Sequence, residues 1–469
     1  MYRICTFLLT LFLFSQAVLA QSNLFVSTSD FSTGSTAFLQ AGTEEAEINL
    51  LGVHSDAVVR FHDGMIYVIN RLGQDNIIVL DAVDVSTPLI QFSVGNGTNP
   101  QDIEVVAADK AYITLYERSE VLVVDPRNGT ELDRIDLSSF ADDDGLPEAA
   151  QIVRVGQRIY VSCQRLDRNT TWGPADNSFL AVIDIESNSL IDVDPEIEGI
   201  QGIVLSSPNP NTLIPVGQSI VVSTVAHFGD RLGGIEFIDT QNNRGSGLAV
   251  SEEDLGGDLN GIALVNDERG FAIISDENFA NYVVPFNLQS RQVGPALQSL
   301  SGGYIPDLAV DGNRLIVADQ GSFSDANSAG LKIFDATDYS LLRGPISTGL
   351  PPVSIAVLSS DTDLLPTAVA EAAAALPEQS TLGKAYPNPF NASVTIPFSL
   401  AQEGAIQLVI YDALGQAVRT LQQGVWPTGA HRVAWDGRND SGQYVGNGTY
   451  FVRLRTNGTH RMNKVMLLK

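Results

Sequence analysis

The chain has 469 residues, 44% of them hydrophobic and 17% charged, which is a globular composition too long for one ordinary core. Its 27 Lys/Arg against 55 Asp/Glu give a net charge of −28, and residues 21–382 alone carry 17 basic against 51 acidic side chains. Such density repels phosphates, which excludes nucleic acid and anionic lipid as partners; it suits solubility in a saline exterior and permits cation binding.

Residues 1–20 read as a secretory signal peptide: Arg3, an apolar run from Phe7 to Phe14, then Val18-Leu19-Ala20 before Gln21. The run is too short for a membrane anchor, and no transmembrane segment is expected in the mature chain. Cys5 would leave with the signal, so Cys163 is the one remaining thiol and the fold must stand on packing without an internal disulfide.

A unit of about fifty residues then repeats. Its first strand is a short apolar run after a polar or Pro-containing turn: "DAVVRF" at Asp56, "PQDIEVV" at Pro100, "AAQIVRV" at Ala149, "IQGIVLS" at Ile200, "LNGIALV" at Leu259, "IPDLAVD" at Ile305 and "PVSIAVL" at Pro352. Six units add a second strand, such as "KAYITLY", and a third that ends on Asp81, Asp125, Asp184, Asp239, Asn287 or Asp335. Six acids or amides in register could form a ligand ring, but each precedes a turn, where an Asx side chain bonds the backbone two residues on. The last run, at Val353, has no partners downstream, while "LFVST", "STAFLQ" and "AEINLL" near the start lack an innermost strand. Joined, they complete a seventh blade that ties both ends of the array together. The expected fold is all-β: a seven-bladed β-propeller over 21–358.

In such a fold the turns leading into the innermost strands, and those between second and third strands, share one face around the central funnel. Candidate ligand-binding residues there are Asp56, Arg71, Asp102, Glu117, Glu148, Arg165, His227, Asn260, Asp276, Asp307 and Asp319, with His54, Arg118, Gln151 and Glu277 beside them. Converging carboxylates could hold Ca²⁺ or shift one another for acid-base work; polar rim loops are also ordinary in any propeller. "ADDDGLPE", Asp142 to Glu148, lacks the ligand alternation of an EF-hand and reads as a solvated loop. The insertion carrying Trp172 could form a lip over the funnel. No GxSxG, CxxC, HExxH or helix-opening phosphate loop is present, and catalytic residues are not assigned.

These units resemble YVTN-type and lactonase-like repeat propellers, over roughly residues 24–358 and without a strict YVTN tetrad. That family includes binding proteins, lactonases and redox subunits, so the resemblance implies shape more than activity. A metal-dependent lactonase would need Glu, Asn and Asp from separate blades around one ion, for which Glu148, Asn260 and Asp307 are of the right type. The leading expectation is a binding protein for an extracellular ligand or protein; the alternative is a Ca-dependent hydrolase or lactonase.

Residues 359–382 are Ala- and Pro-rich and read as a linker, with a marginal helical turn at Thr367–Leu376. From 383 the balance reverses to nine basic against four acidic side chains, and Val394-Ile396-Phe398-Leu400 alternates as a strand with one buried face. About seven short strands fit an immunoglobulin-like sandwich over 383–469. "YPNPFN", "IYDALGQAVRTL", "WDGRNDSGQYVGNGTYFVRL" and "KVMLLK" resemble the Ig-like domain of flagellar hook-capping (FlgD-type) proteins and of type IX secretion C-terminal sorting domains; Asn391-Ala392-Ser393 is a mild departure. The resemblance implies recognition of 383–469 by outer-membrane secretion machinery and a secreted or cell-surface destination. A generic Ig-like spacer is the plainer alternative.

Overall fold

The computed structural model describes residues 21–168, 173–174, 177–322, 325–359, 380–383, 385, 390, 394–402, 404–412, 416–426, 429–456 and 459–467. Residues 1–20 expected to form the signal peptide, Trp172, the helical turn expected at Thr367–Leu376 and most of "YPNPFN" lie outside them. The chain divides into two compact units, Met1–Ala368 and Val369–Lys469.

In the first unit, seven antiparallel sheets succeed one another along the chain. The first blade runs Val58–His62, Met65–Asn70, Asn76–Asp81 and Asp84–Ser93 from inside to outside, and five more follow the same order. In the seventh, Pro352–Leu358 is innermost and Asn23–Ser29 pairs with it antiparallel, Val26 opposite Ile355, with Gly34–Leu39 outside. A fourth position is held by Glu47, which exchanges two 2.8 Å backbone hydrogen bonds with Phe38. The array is therefore closed by strands from opposite ends of the propeller segment.

Burial explains the texture of the repeats. Second and third strands are sealed on both faces, as in Met65–Asn70 and Glu120–Asp125, because each blade packs its two faces against neighbours. The apolar clusters accordingly lie between blades: Tyr67, Ile69, Ile77 and Val79 of the first meet Ile103, Val105, Ile113 and Leu122 of the second. Outermost strands such as Thr130–Asp136 face solvent and are polar.

One expected strand is displaced. "IQGIVLS" is not the innermost strand of the fourth blade: Ile203–Val204 pairs with Phe179–Leu180 at the outside of the third, beside Ser189–Leu190. The innermost strand is Pro210–Val216, with Leu213 opposite Val222, the position that Ile103 and Ile262 hold in their blades. Both segments are short apolar runs after turns, and what separates them is packing. Gly202 lies where a Cβ would come within 2.7 Å of Phe140 and 2.8 Å of the Leu180 carbonyl, a close approach suited to an outer seam.

The residues ending the third strands cap turns. Backbone N–H groups donate to Asp81 from Val83 at 2.8 Å, to Asp125 from Arg127 at 3.0 Å, to Asp184 from Ser187 at 2.9 Å and to Asp239 from Gln241 at 2.8 Å. Asn287 and Asp335 accept likewise from Gln289 and Thr337. They form no ligand ring.

The second unit is a sandwich of two sheets. Thr381–Leu382, Val394–Leu400 and Gly429–Trp435 form one; Ala417–Trp426, Gly404–Tyr411, Gly448–Thr456 and Thr459–Leu467 form the other. Val394, Ile396, Phe398 and Leu400 all point inward as their alternation requires, around a buried Trp435 that packs on Phe390 and Tyr450.

Candidate functional site: the propeller channel

The innermost strands of all seven blades line a channel of about 680 Å³. Its polar character comes from irregular strand starts. Register shifts between Pro100/Ile103, Ala149/Ile152, Pro210/Thr212 and Leu259/Gly261 insert extra residues, and Asp102, Gln151, Asn211 and Asn260 at these points line the channel. Several of these groups also stitch blades together. Asp102 accepts from Ile152 N at 3.3 Å, Asp307 from Ile355 N at 2.8 Å, and Asn211 Nδ2 donates to Leu259 O at 2.7 Å, each across a blade boundary.

Two guanidiniums organise the charge. Arg60 Nε lies 2.7 Å from Asp102 Oδ1, and its Nη1 donates to Val59 O at 2.9 Å. Burial alone would lower the Arg60 pKa; the Asp102 charge reverses that and holds it raised. Arg71 donates through Nη2 and Nε to the Asp56 side chain and carbonyl at 2.6 and 2.8 Å, and through Nη1 to Gln101 at 2.7 Å. Burial pushes the Asp307 carboxyl up to about 6, against the opposing pull of Ile355 N–H and Arg60. Phe31 and Tyr304 also line the channel while being 74% and 53% exposed, so they stand at its mouth.

Of the predicted residues, Asp56, Arg71, Asp102, Asn260 and Asp307 line this channel. Glu117 and Glu148 are instead gathered by Arg168, with Nη1 2.6 Å from Glu117 and Nε 2.7 Å from Glu148. Glu148 is fully buried, accepts from Leu166 N at 3.0 Å, and is pushed up to about 7, chiefly by burial. "ADDDGLPE" is thus only partly solvated: Asp143 is exposed, while Asp144 approaches Arg168 at 3.8 Å. Arg165 donates to Asn177 O and lies over the Phe179 ring. His227 is exposed on a loop, Asp276 caps its own turn through Asn278 N and Ala280 N, and Asp319 is buried against Lys332 Nζ at 2.8 Å.

Glu148, Asn260 and Asp307 therefore do not converge: only the last two reach the channel, and Asn260 donates to Ser275. Among the described residues no group of three or more His, Cys, Asp or Glu is placed to hold a metal ion. Sequence reasoning missed Arg60, Glu104 and Asn211. Asn211 was concealed by the displaced fourth blade, although "PNTLIPV" shares the Pro-polar start of "PQDIEVV".

The fold and channel define the class: a seven-bladed β-propeller. Following it is an Ig-like sandwich, of which residues 391–459 match the FlgD Ig-like domain family. Among solved structures, a proposed 6-phosphogluconolactonase from Bacteroides fragilis aligns at 15% identity and TM-score 0.50, over 72% of this chain and 97% of that one. At that identity the likeness shows the propeller fold alone. PorZ, an essential surface component of the type IX secretion system of Porphyromonas gingivalis, aligns at 14% identity and TM-score 0.44 over 94% of this chain, which spans 64% of the PorZ chain. Hydrazine synthase of Kuenenia stuttgartiensis aligns at 16% identity and TM-score 0.48, over 65% of this chain and 91% of that one. No curated protein sequence matches the chain.

Proposed function

We propose that this protein is an exported binding propeller whose channel mouth takes a ligand or protein partner, and whose FlgD-type domain addresses it to the cell surface or exterior. The observation that carries the binding reading is the channel itself: polar and charged groups from separate blades converge on one open cavity of ligand size. The address reading rests on the FlgD Ig-like match and on the motifs around it. A lactonase-like reaction is less well served, because the Glu148 carboxylate it would use is occupied by Leu166 N–H and Arg168. The residues present do not fit a Ca²⁺ centre of that kind.

The test is a thermal-shift panel of sugars, peptides and small amines against the full chain and Arg71→Ala. A ligand whose stabilisation disappears in the variant supports binding at the mouth; identical shifts in both proteins refute it. For the address, deletion of 383–469 should abolish surface display or secretion in the native host, and unchanged display refutes that role.

A further inference from the structure

Three loops joining second to third strands each lift a bulky apolar residue into solvent with positive φ. Phe31 has φ 68° and is 74% exposed; Leu72 has φ 47° and is 59% exposed; Phe279 has φ 61° and is 71% exposed. Bulky L-residues rarely adopt this conformation, and here each leaves most of its apolar side chain open to water. The Phe31 loop is also fixed: Ser29 Oγ accepts from Phe31 N at 2.8 Å, and Asp30 Oδ1 accepts from Ser32 N at 2.9 Å and Thr33 N at 2.6 Å. Between the fourth and fifth blades, Phe279 stacks on Phe228 with ring centroids 5.1 Å apart. Joining second to third strands, these loops share the face on which the channel opens, and of their apolar residues Phe31 lines the channel itself, together with Tyr304.

Beneath this apolar rim the channel wall holds four carboxylates, Asp56, Asp102, Glu104 and Asp307, against the guanidiniums of Arg60 and Arg71. An apolar rim around a net-negative well matches one shape of partner. We infer that the mouth receives a basic protein segment in which a Lys or Arg enters the channel while flanking apolar residues pack on Phe31, Leu72 and Tyr304. Charge complementarity with the acidic propeller selects this occupant over an anionic or wholly apolar one. The aromatic residues supply anchoring area and the well supplies specificity. This inference rests on the mouth-binding reading above and names the chemistry of its partner.

The probes are labelled blocked peptides with cores Phe-Lys-Phe, Phe-Glu-Phe and Ser-Lys-Ser, measured by fluorescence anisotropy against the full chain. Phe-Lys-Phe should bind at least about tenfold more tightly than either of the others, and more weakly as salt is raised. Glu104→Gln and Phe31→Ser should each weaken it severalfold, with melting temperature retained; Asp338→Asn, on an exposed turn of the opposite face, should leave it unchanged. Equal binding of Phe-Glu-Phe, no binding of Phe-Lys-Phe, or indifference to both mouth substitutions overturns the inference. If a neutral or anionic ligand from the thermal panel depends on Arg71 while Phe-Lys-Phe fails, this inference falls and mouth binding stands. If no ligand responds to any mouth substitution, both fall.

Discussion

Arg60, on the innermost strand of the first blade, pairs with Asp102 of the second at 2.7 Å inside the channel. Asp102 also accepts the backbone N–H groups of Ile103 and, in the third blade, Ile152. One carboxylate thus joins three consecutive blades. Asp102→Ala strips Arg60 of its counter-charge and orphans those donors, and should cost about 2–4 kcal/mol. Arg60→Leu leaves Asp102 its backbone donors and should cost less. Urea denaturation of both variants checks the asymmetry.

Ring closure depends on strands from the two ends of the propeller segment. Removing 23–39 deletes the second and third strands of the seventh blade and exposes an edge on Pro352–Leu358 and the apolar faces of its neighbours, including Ile316 and Leu331. We expect the propeller's cooperative transition to be lost; a sharp calorimetric transition in the truncated protein would refute the closure argument.

Stability should respond to pH in the direction opposite to ordinary acid denaturation near neutrality. Burial pushes Glu252 up to about 7 from 4.5, although Leu259 N–H and Gly233 N–H oppose it; Glu148 also rises to about 7, and Asp307 to about 6. Between the unfolded and folded values the native state keeps protons that the unfolded chain has released, so this contribution is full below about 4.5 and fades as pH rises towards 7. Asp125, lowered to about 2, acts only in more acidic solution. Glu252→Gln should reduce the loss of stability between pH 5 and pH 8 by about 2 kcal/mol. Urea midpoints of wild type and variant at the two pH values measure it.

In the Ig-like unit, Trp435 is 1% exposed, and its Nε1 donates to Arg438 O at 2.9 Å. Trp435→Ala opens a cavity between Phe390 and Tyr450 and should cost about 3–5 kcal/mol of that unit's stability. Near-ultraviolet circular dichroism through a thermal melt would show this as an earlier transition.

Much of the architecture was legible because its rules are local. Strand alternation around Val394 to Leu400, Asx residues before turns, and unmatched strands at the two ends of the array each follow from neighbours in the sequence. Five of the eleven candidate site residues, from Asp56 to Asp307, proved to line the channel for the same reason: they stand at the starts of innermost strands or in the adjoining loops. Ile203 shows where this reasoning stops, because an apolar run after a turn does not encode which strand it will pair with.

The sequence by itself determined the number of blades, the joining of the two ends, the opposed charge of the two units and the inward face of the sandwich strands. Only the tertiary structure decided which polar residues meet. Strand bulges brought Asp102, Gln151, Asn211 and Asn260 to the channel, and packing between blades brought Arg60 to Asp102. The same packing withdrew Glu148 to Arg168 and Asp319 to Lys332, leaving them as structural ion pairs. The physical reason is that a β-strand's period of two specifies a face, whereas the depth and partner of a charge are set by neighbouring blades and loops remote in sequence.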